Sequence, residues 1–318
     1  MNSENRPVLI VAGPTASGKS GLALSLAREF DGVIINADSM QVYRELRVLT
    51  ARPSQEDEAR APHRLYGVLP ASEVCSAGRW REMALAEIGK AHASGKLPIV
   101  CGGTGLYLKA LTQGLSPMPE APDEIREAMR ARLAAEGAGK LHRELTARDP
   151  VMAARLDPAD SQRIVRALEV LEATGRSLAD WQAIPPEGPP EGLRFRTILL
   201  APPRKWLYAN CDRRLEIMLE EGGALDEVRR LIAMELAPDL PAMKALGVKE
   251  FARYLAENME FQDALVAAQQ ATRNYAKRQM TWFRHQIVAD KAILEQFSES
   301  LEAEIFSFVR HFLLTPTD

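Results

Sequence analysis

Gly13-Pro14-Thr15-Ala16-Ser17-Gly18-Lys19-Ser20 matches the pattern G-x-x-x-x-G-K-[ST]. Glycines in such a loop let successive backbone N–H groups turn inward on phosphate oxygens at a helix N-terminus. Lys19 adds a point charge, and the Ser20 hydroxyl can hold Mg²⁺. The spacing serves a di- or triphosphate without specifying ATP. A second chemical group is Asp38, in Ile34-Ile35-Asn36-Ala37-Asp38-Ser39-Met40-Gln41-Val42-Tyr43. A carboxylate there could bind Mg²⁺, cap the next helix, or accept a proton from a nucleophile. A third is Gly102-Gly103-Thr104-Gly105-Leu106-Tyr107, where glycines permit close backbone approach and a hydroxyl is offered, although two glycines after a strand are commonly just a turn.

The elements that must position these groups follow from periodicity. Val8–Ala12, Val33–Asn36 and Leu97–Cys101 are candidate strands, and Leu22, Leu26 and Phe30 recur at four-residue spacing between the first two. A further helix is expected over roughly Gly78 to Ala93. Strands alternating with amphipathic helices predict a parallel sheet in an α/β fold. Ligands bind outside the carboxyl ends of such strands, so the loop at Gly13–Ser20, Asp38 and Thr104 should share one crevice. Neither Leu97–Cys101 nor the later strand candidate Arg196–Leu200 ends in an acid. Asp38 is therefore the only well-placed carboxylate, which favours group transfer from a phosphate-bearing donor over hydrolysis driving motion.

Two proline-rich stretches, Ser116–Pro122 and Pro185–Gly192, interrupt the pattern and read as linkers. They bracket a segment rich in Ala, Leu, Arg and Glu with no convincing strand. The expected organisation is a core of residues 1–117 and 193–318 with a helical insertion at 118–192. From Trp206 onward the pattern is helical almost to the end.

The chain of 318 residues carries 40 Lys+Arg against 43 Asp+Glu, so any nucleic acid must be met by a local patch and not by bulk basicity. Between Asp263 and Asp290 no acid occurs. Arg273, Lys277 and Arg284 share a helical face there, with Tyr275, Arg278, Gln279 and Trp282 on adjoining faces. Basic and aromatic residues interleaved in this way suit phosphate contact and base stacking; the competing reading is a solvated basic side with Trp282 and Phe283 in the core. Arg163 and Arg166 on the amphipathic segment Ser161–Val170 are a second candidate, with the same competitor. Cys75, Cys101 and Cys211 are too scattered for a disulfide framework or a structural zinc site, and the five histidines have no metal spacing. A reducing cytoplasm is expected. The polar start, Met1 to Pro7, and the short apolar run Val8 to Ala12 lack a signal or membrane span, so no membrane association is expected.

GPTASGKS at Gly13–Ser20, DSMQVY at Asp38–Tyr43, GGTGLYLKAL at Gly102–Leu111, QRIVRALEV at Gln162–Val170 and AKRQMTWFR at Ala276–Arg284 together resemble the tRNA dimethylallyltransferase family, over about residues 8 to 285. The resemblance implies transfer of the dimethylallyl group of dimethylallyl diphosphate to the exocyclic amine of the adenosine 3′ of the anticodon, in tRNAs reading codons that begin with U. It implies a P-loop core with an inserted helical domain, a diphosphate cradled by Gly13–Ser20 and held by Arg214, and Mg²⁺ on Ser20. Asp38 and Thr104 would meet the flipped adenine, with Ser39, Met40 and Gln41 beside them. Further tRNA contacts are implied at Gln162, Arg163, Ile164, Val165 and Arg166, and at Arg126. The basic helix adds Lys277, Arg278, Trp282 and Arg284 as tRNA candidates. Asp38, Thr104 and Lys19 are the expected catalytic groups, in a monomer.

The chain departs from the family at Leu49-Thr50-Ala51-Arg52-Pro53, where Gly-Thr-Ala-Lys-Pro is usual, and at Val248, where Tyr is frequent. Competing functions are a small-molecule kinase, a prenyltransferase acting on free adenine nucleotides, and an RNA-binding nucleotide switch. The acid-free helix and the insertion argue against the first two, and the lack of a second acid against the third.

Overall fold

The computed structural model describes residues 5–220 and 223–315, so the first four residues of the polar N-terminal stretch lie outside the described residues. Apolar side chains on both faces of the strands require cover on both faces of the sheet. The chain runs β1 (Arg6–Ala12), α1 (Lys19–Glu29), β2 (Gly32–Asn36), α2 (Gln55–Arg60), β3 (His63–Arg64), α3 (Ala77–Ala93), β4 (Leu97–Gly102) and α4 (Gly105–Gln113). Helices α5 (Asp123–Glu136), α6 (Ala138–Arg148), α7 (Pro150–Ala153), α8 (Ser161–Thr174) and α9 (Leu178–Ala183) follow. The chain then continues through β5 (Leu193–Leu200), α10 (Arg204–Glu220), α11 (Ala224–Ile232), α12 (Val248–Leu255), α13 (Phe261–Gln286), β6 (Lys291–Ile293) and α14 (Glu302–Leu314).

The chain forms two compact units, Met1–Thr112 with Pro190–Asp318, and Gln113–Pro189. In the first, all six strands form one parallel sheet in the order β3-β2-β4-β1-β5-β6. Alternation along β1 divides the core: Val8, Ile10 and Ala12 join Trp80, Leu108 and Phe251, while Leu9 and Val11 join Leu22, Leu26, Ile305 and Val309. The sheet is thus sandwiched by α3, α4, α12 and α13 on one face and by α1 and α14 on the other. Central β1 carries the phosphate loop at its carboxyl end, with β4 and β5 as neighbours.

The second unit is wholly helical among the described residues and has its own core, in which Leu141, Leu145, Ile164, Leu168 and Val170 are fully buried. Asp160 caps α8 by accepting from the Arg163 N–H at 3.3 Å, and Gly175, at φ 66°, closes it in the left-handed conformation an L side chain resists.

Besides shifts of one or two residues at the ends of β1, β2 and β4, the strands exceed the sequence expectation in three places. β5 starts at Leu193, not Arg196, pairing Leu193 with Arg6, and β3 adds an edge beyond β2. β6 breaks the expected helical run after Trp206: Lys291-Ala292-Ile293 pairs with Ile198–Leu200. Three residues are too few to show a period of two, so only their partner strand defines them. Among the described residues no helix is long and apolar enough to cross a membrane.

Candidate active site

The phosphate loop leaves β1 at Gly13, where space is minimal: a Cβ there would lie 2.7 Å from Ser17 Oγ and 2.9 Å from the Leu200 carbonyl. Ala16 (φ 61°) and Gly18 (φ 90°) both take the left-handed region, which curls the loop before α1 begins at Lys19. For Ala16 this conformation costs energy that the surrounding loop must offset. Lys19 Nζ donates to the Pro14 carbonyl at 3.2 Å across the loop. Burial pulls the Lys19 ammonium below its ordinary range; Cys101 and Asp38 oppose the shift and Arg214 reinforces it. Arg214, from α10, donates to Thr15 Oγ1 at 2.5 Å. Its guanidinium is also lowered by burial, with Cys211 and Asp38 acting the other way. A cleft of about 470 Å³ opens here, lined by Ala16–Gly21 together with Trp206, Asn210, Arg213, Arg214 and Phe297.

Asp38 sits where β2 ends. Buried Asn36 holds the turn: its Oδ1 accepts from the Asp38 N–H at 2.8 Å and its Nδ2 donates to the Asp38 and Leu65 carbonyls. Asp38 Oδ1 accepts from the Met40 N–H at 2.9 Å, so the side chain braces a turn; no helix follows for it to cap. The turn is joined to the glycine segment after β4. The Ser39 N–H donates to Thr104 Oγ1 at 2.9 Å, and the Thr104 N–H to the Ala37 carbonyl at 3.1 Å. Gly102 makes that possible, since a Cβ on it would fall 2.2 Å from Ala37. A second cleft, about 230 Å³, lies against this pair of turns and is lined by Thr15, Asp38, Ser39, Met40, Leu49, Thr50, Arg214, Ala245, Leu246 and Tyr275 among others.

Helix α13 supplies the third wall. Tyr275 lines the second cleft, and burial, reinforced by Asp38, holds its hydroxyl well above the usual phenol range. Gln279 is buried; its Oε1 accepts from the Thr15 N–H at 2.9 Å and its Nε2 donates to the Gly103 carbonyl at 2.8 Å. Trp282 lies across Gly105, where a Cβ would come within 2.1 Å of the indole. The indole packs on the core, so its part exposure leaves limited area for stacking a base. Phe283 is buried beside it.

The basic face divides. Lys277, Arg278 and Arg284 are exposed, and among the described residues none of them has an ion-pair partner. Arg273 differs: it is bound at 2.7 Å to both carboxylate oxygens of Asp212 on α10 and is not free for phosphate. In the helical unit, Gln162 and Arg163 are exposed, whereas Ile164 and Val165 are buried in its core and offer no side chain to RNA. The 3.6-residue period turns those two inward. Arg166 reaches Glu169 at 3.5 Å and the Pro119 carbonyl at 3.3 Å, and Arg126 lies 3.4 Å from Asp123.

Three residues that build the site carry no signal of that role in the sequence: its pattern marks Tyr275 and Gln279 only as neighbours of a basic stripe, and Glu227 not at all. Glu227 is 2% exposed and accepts from three consecutive backbone N–H groups, Arg47 and Val48 at 2.7 Å and Leu49 at 2.9 Å. It thereby fixes the segment that carries the departures from the family pattern. Leu49 is buried and, as a wall of the second cleft, reaches Gly247 within the core cluster that holds Phe251, so it fills space that a glycine would leave open. Arg52 folds back toward the Tyr43 and Arg44 carbonyls over Gly67, away from either cleft. Its guanidinium takes no part in the phosphate cleft. Among the described residues no group of three or more His, Cys, Asp or Glu side chains could hold a metal ion.

Parallel sheet, phosphate loop and an acid-bearing turn beside it define a P-loop α/β protein with a second cleft adjoining the phosphate site. Within that class the chain belongs to the IPP transferase family, whose sequence model matches residues 41–286. It is 56% identical over 315 residues to the tRNA dimethylallyltransferase of Paramagnetospirillum magneticum, covering 99% of each chain. It is 58% identical over 284 residues to the enzyme of the same name from Rhodospirillum centenum, covering 89% of this chain and 90% of that one. Among solved structures, the full-length tRNA isopentenylpyrophosphate transferase of Bacillus halodurans is similar at 31% identity and a TM-score of 0.69, over 98% of this chain and 97% of that one. A eukaryotic dimethylallyltransferase acting on tRNA is similar at 26% identity and a TM-score of 0.79, over 97% of this chain and 80% of that one.

Proposed function

We propose that this protein is a tRNA dimethylallyltransferase, moving the dimethylallyl group of dimethylallyl diphosphate to the exocyclic amine of the adenosine 3′ of the anticodon in tRNAs reading U-starting codons. The observation that carries the reading is the position of Arg214, which lines both the phosphate cleft and the cleft beside Asp38. A diphosphate on one side and a purine on the other would bring an allylic carbon and an amine together beside one cation.

Both reactants need help, because the adenine amine has its lone pair delocalised into the ring and the donor carbon reacts only as its diphosphate departs. Lys19, Arg214 and the loop N–H groups take up negative charge as the carbon–oxygen bond breaks. The buried Ser17 hydroxyl, without a partner among the described residues, is suited to a phosphate oxygen. As the carbon–nitrogen bond forms, Asp38 receives the amine proton, an effect typically worth ~10²–10⁴-fold. Thr104, whose Oγ1 accepts from the Ser39 N–H, fixes the adenine edge. Mg²⁺ fits the phosphate loop as an ion carried largely by diphosphate and water, with the exposed Ser20 hydroxyl as its protein ligand, and when bound it would neutralise leaving-group charge. Extruding the base costs a few kcal/mol, which phosphate contacts at Lys277, Arg278 and Arg284 and at Arg126, Gln162, Arg163 and Arg166 would offset. In this reading the protein acts as a monomer.

The test is incubation of the purified protein with labelled dimethylallyl diphosphate and either bulk tRNA or free adenine nucleotides. Label in tRNA adenosine is expected. Label in the nucleotides alone, or phosphate transfer from ATP to a small molecule, would replace the reading.

A further inference from the structure

Gln279 is 6% exposed, and the two hydrogen bonds of its amide both go to backbone: the Thr15 N–H of the phosphate loop and the Gly103 carbonyl of the glycine turn. A buried amide is costly unless its groups are satisfied, and an apolar side chain of equal size would fill the same space without that cost. The bridged segments are the two that carry the chemistry. Thr15 receives Arg214 through its hydroxyl, and Gly103 precedes Thr104, whose hydroxyl anchors the turn bearing Asp38. The contact is also tightly fitted, since a Cβ at Gly103 would lie 2.4 Å from Gln279 Nε2. One helical turn back on α13, Tyr275 lines the cleft beside Asp38.

We infer that Gln279 is a positioning residue that sets the spacing between the diphosphate cradle and the acceptor turn, so that donor carbon and acceptor amine meet in reactive geometry. The inference rests on the transferase reading. It touches neither reactant: its amide fixes the backbone of two loops, each of which would hold one. Loss of the bridge would leave each loop able to bind its own substrate while the two drift apart, and displacements of about an ångström can cost on the order of 10²-fold in rate.

The experiment compares wild type with Gln279→Met, which keeps volume and removes both bonds, and with Gln279→Glu. Single-turnover transfer at saturating dimethylallyl diphosphate and tRNA is measured per folded site, together with KM for each substrate and the melting temperature. For Gln279→Met the expected result is a per-site rate reduced about 10- to 100-fold with both KM values within about threefold of wild type. The Glu variant supplies a readout that bulk destabilisation would not move. Ionised, it accepts from Thr15 but repels the Gly103 carbonyl; protonated, it can again donate, and burial favours the protonated form. Its rate relative to wild type should therefore rise toward acid pH. A per-site rate within about twofold of wild type for Gln279→Met, or a flat pH ratio for Gln279→Glu, would overturn the inference. Absence of transfer in wild type would instead overturn the transferase reading on which it stands.

Discussion

Asp38 Oδ1 accepts the Met40 N–H at 2.9 Å, which commits one carboxylate oxygen to the turn and fixes the plane of the group. Oδ2 has no hydrogen-bond partner among the described residues, and the residue lines the smaller cleft. One oxygen thus has a scaffold role, and the other is unengaged and available for the proton transfer proposed above.

Asp38→Asn separates those jobs. The amide oxygen still accepts from Met40, so the turn should survive, with a melting temperature near wild type and binding of both substrates within a few fold. The amide has no comparable basicity, so the single-turnover rate should fall ~10² or more. Near-normal transfer by this variant would remove Asp38 from proton transfer and leave Thr104 and the diphosphate site as the sources of acceleration.

Lys19 predicts an alkaline limit on donor binding. Its pKa is lowered by burial from the usual 10.5, so the free protein loses this proton at a lower pH than an exposed lysine would. Diphosphate favours the charged form and should pull a proton back onto the neutral amine as it binds. Calorimetry of inorganic diphosphate in buffers of different ionisation enthalpy should show an alkaline proton uptake in wild type that Lys19→Met lacks. Folding stability carries the opposite sign: the penalty for burying a charged lysine is relieved as pH rises through the lowered value, so the variant's stability should exceed wild type most below it.

The basic helix should behave as two populations. Replacing Lys277 or Arg278 by Ala should weaken tRNA binding and reduce the salt slope by roughly 0.7 per phosphate contact on a single-stranded loop. Arg273→Met should instead lower stability, by about 1–3 kcal/mol for a half-buried pair, and leave the salt slope alone. If Arg273→Met changes the slope and the other two do not, the RNA-facing surface has been assigned to the wrong residues.

Glu227 carries the segment before Thr50, on the cleft wall. Glu227→Ala leaves the Arg47, Val48 and Leu49 N–H groups without an acceptor, and with the Leu49 group buried and the other two part-buried the chain should lose about 1–3 kcal/mol or more. Glu227→Gln keeps an accepting oxygen and should lose less. Denaturant melts of the two variants test the order, and equal losses would show that water replaces the carboxylate.

Local patterns in the sequence were enough for what depends on neighbours in the chain. The strand, loop and helix around Gly13–Ser20, the alternating elements of the sheet, the helical insertion between proline-rich stretches, and Asp38 at a strand end are all visible there, because loop chemistry and hydrophobic period are short-range properties. Only the tertiary structure decided the rest. It assigned Arg273 to Asp212 and the α13 neighbours Lys277 and Arg278 to solvent, since charge alone does not say which cation meets an acid 61 residues away. It turned Ile164 and Val165 into core, and it made a strand of Lys291–Ile293 through pairing with β5. Above all it joined Thr15 to Gln279 across 264 residues and Leu49 to Glu227 across 178. Such contacts form when closing the sheet brings distant backbone groups into a dry interior where each must find a partner, and no local period announces which side chain will supply it.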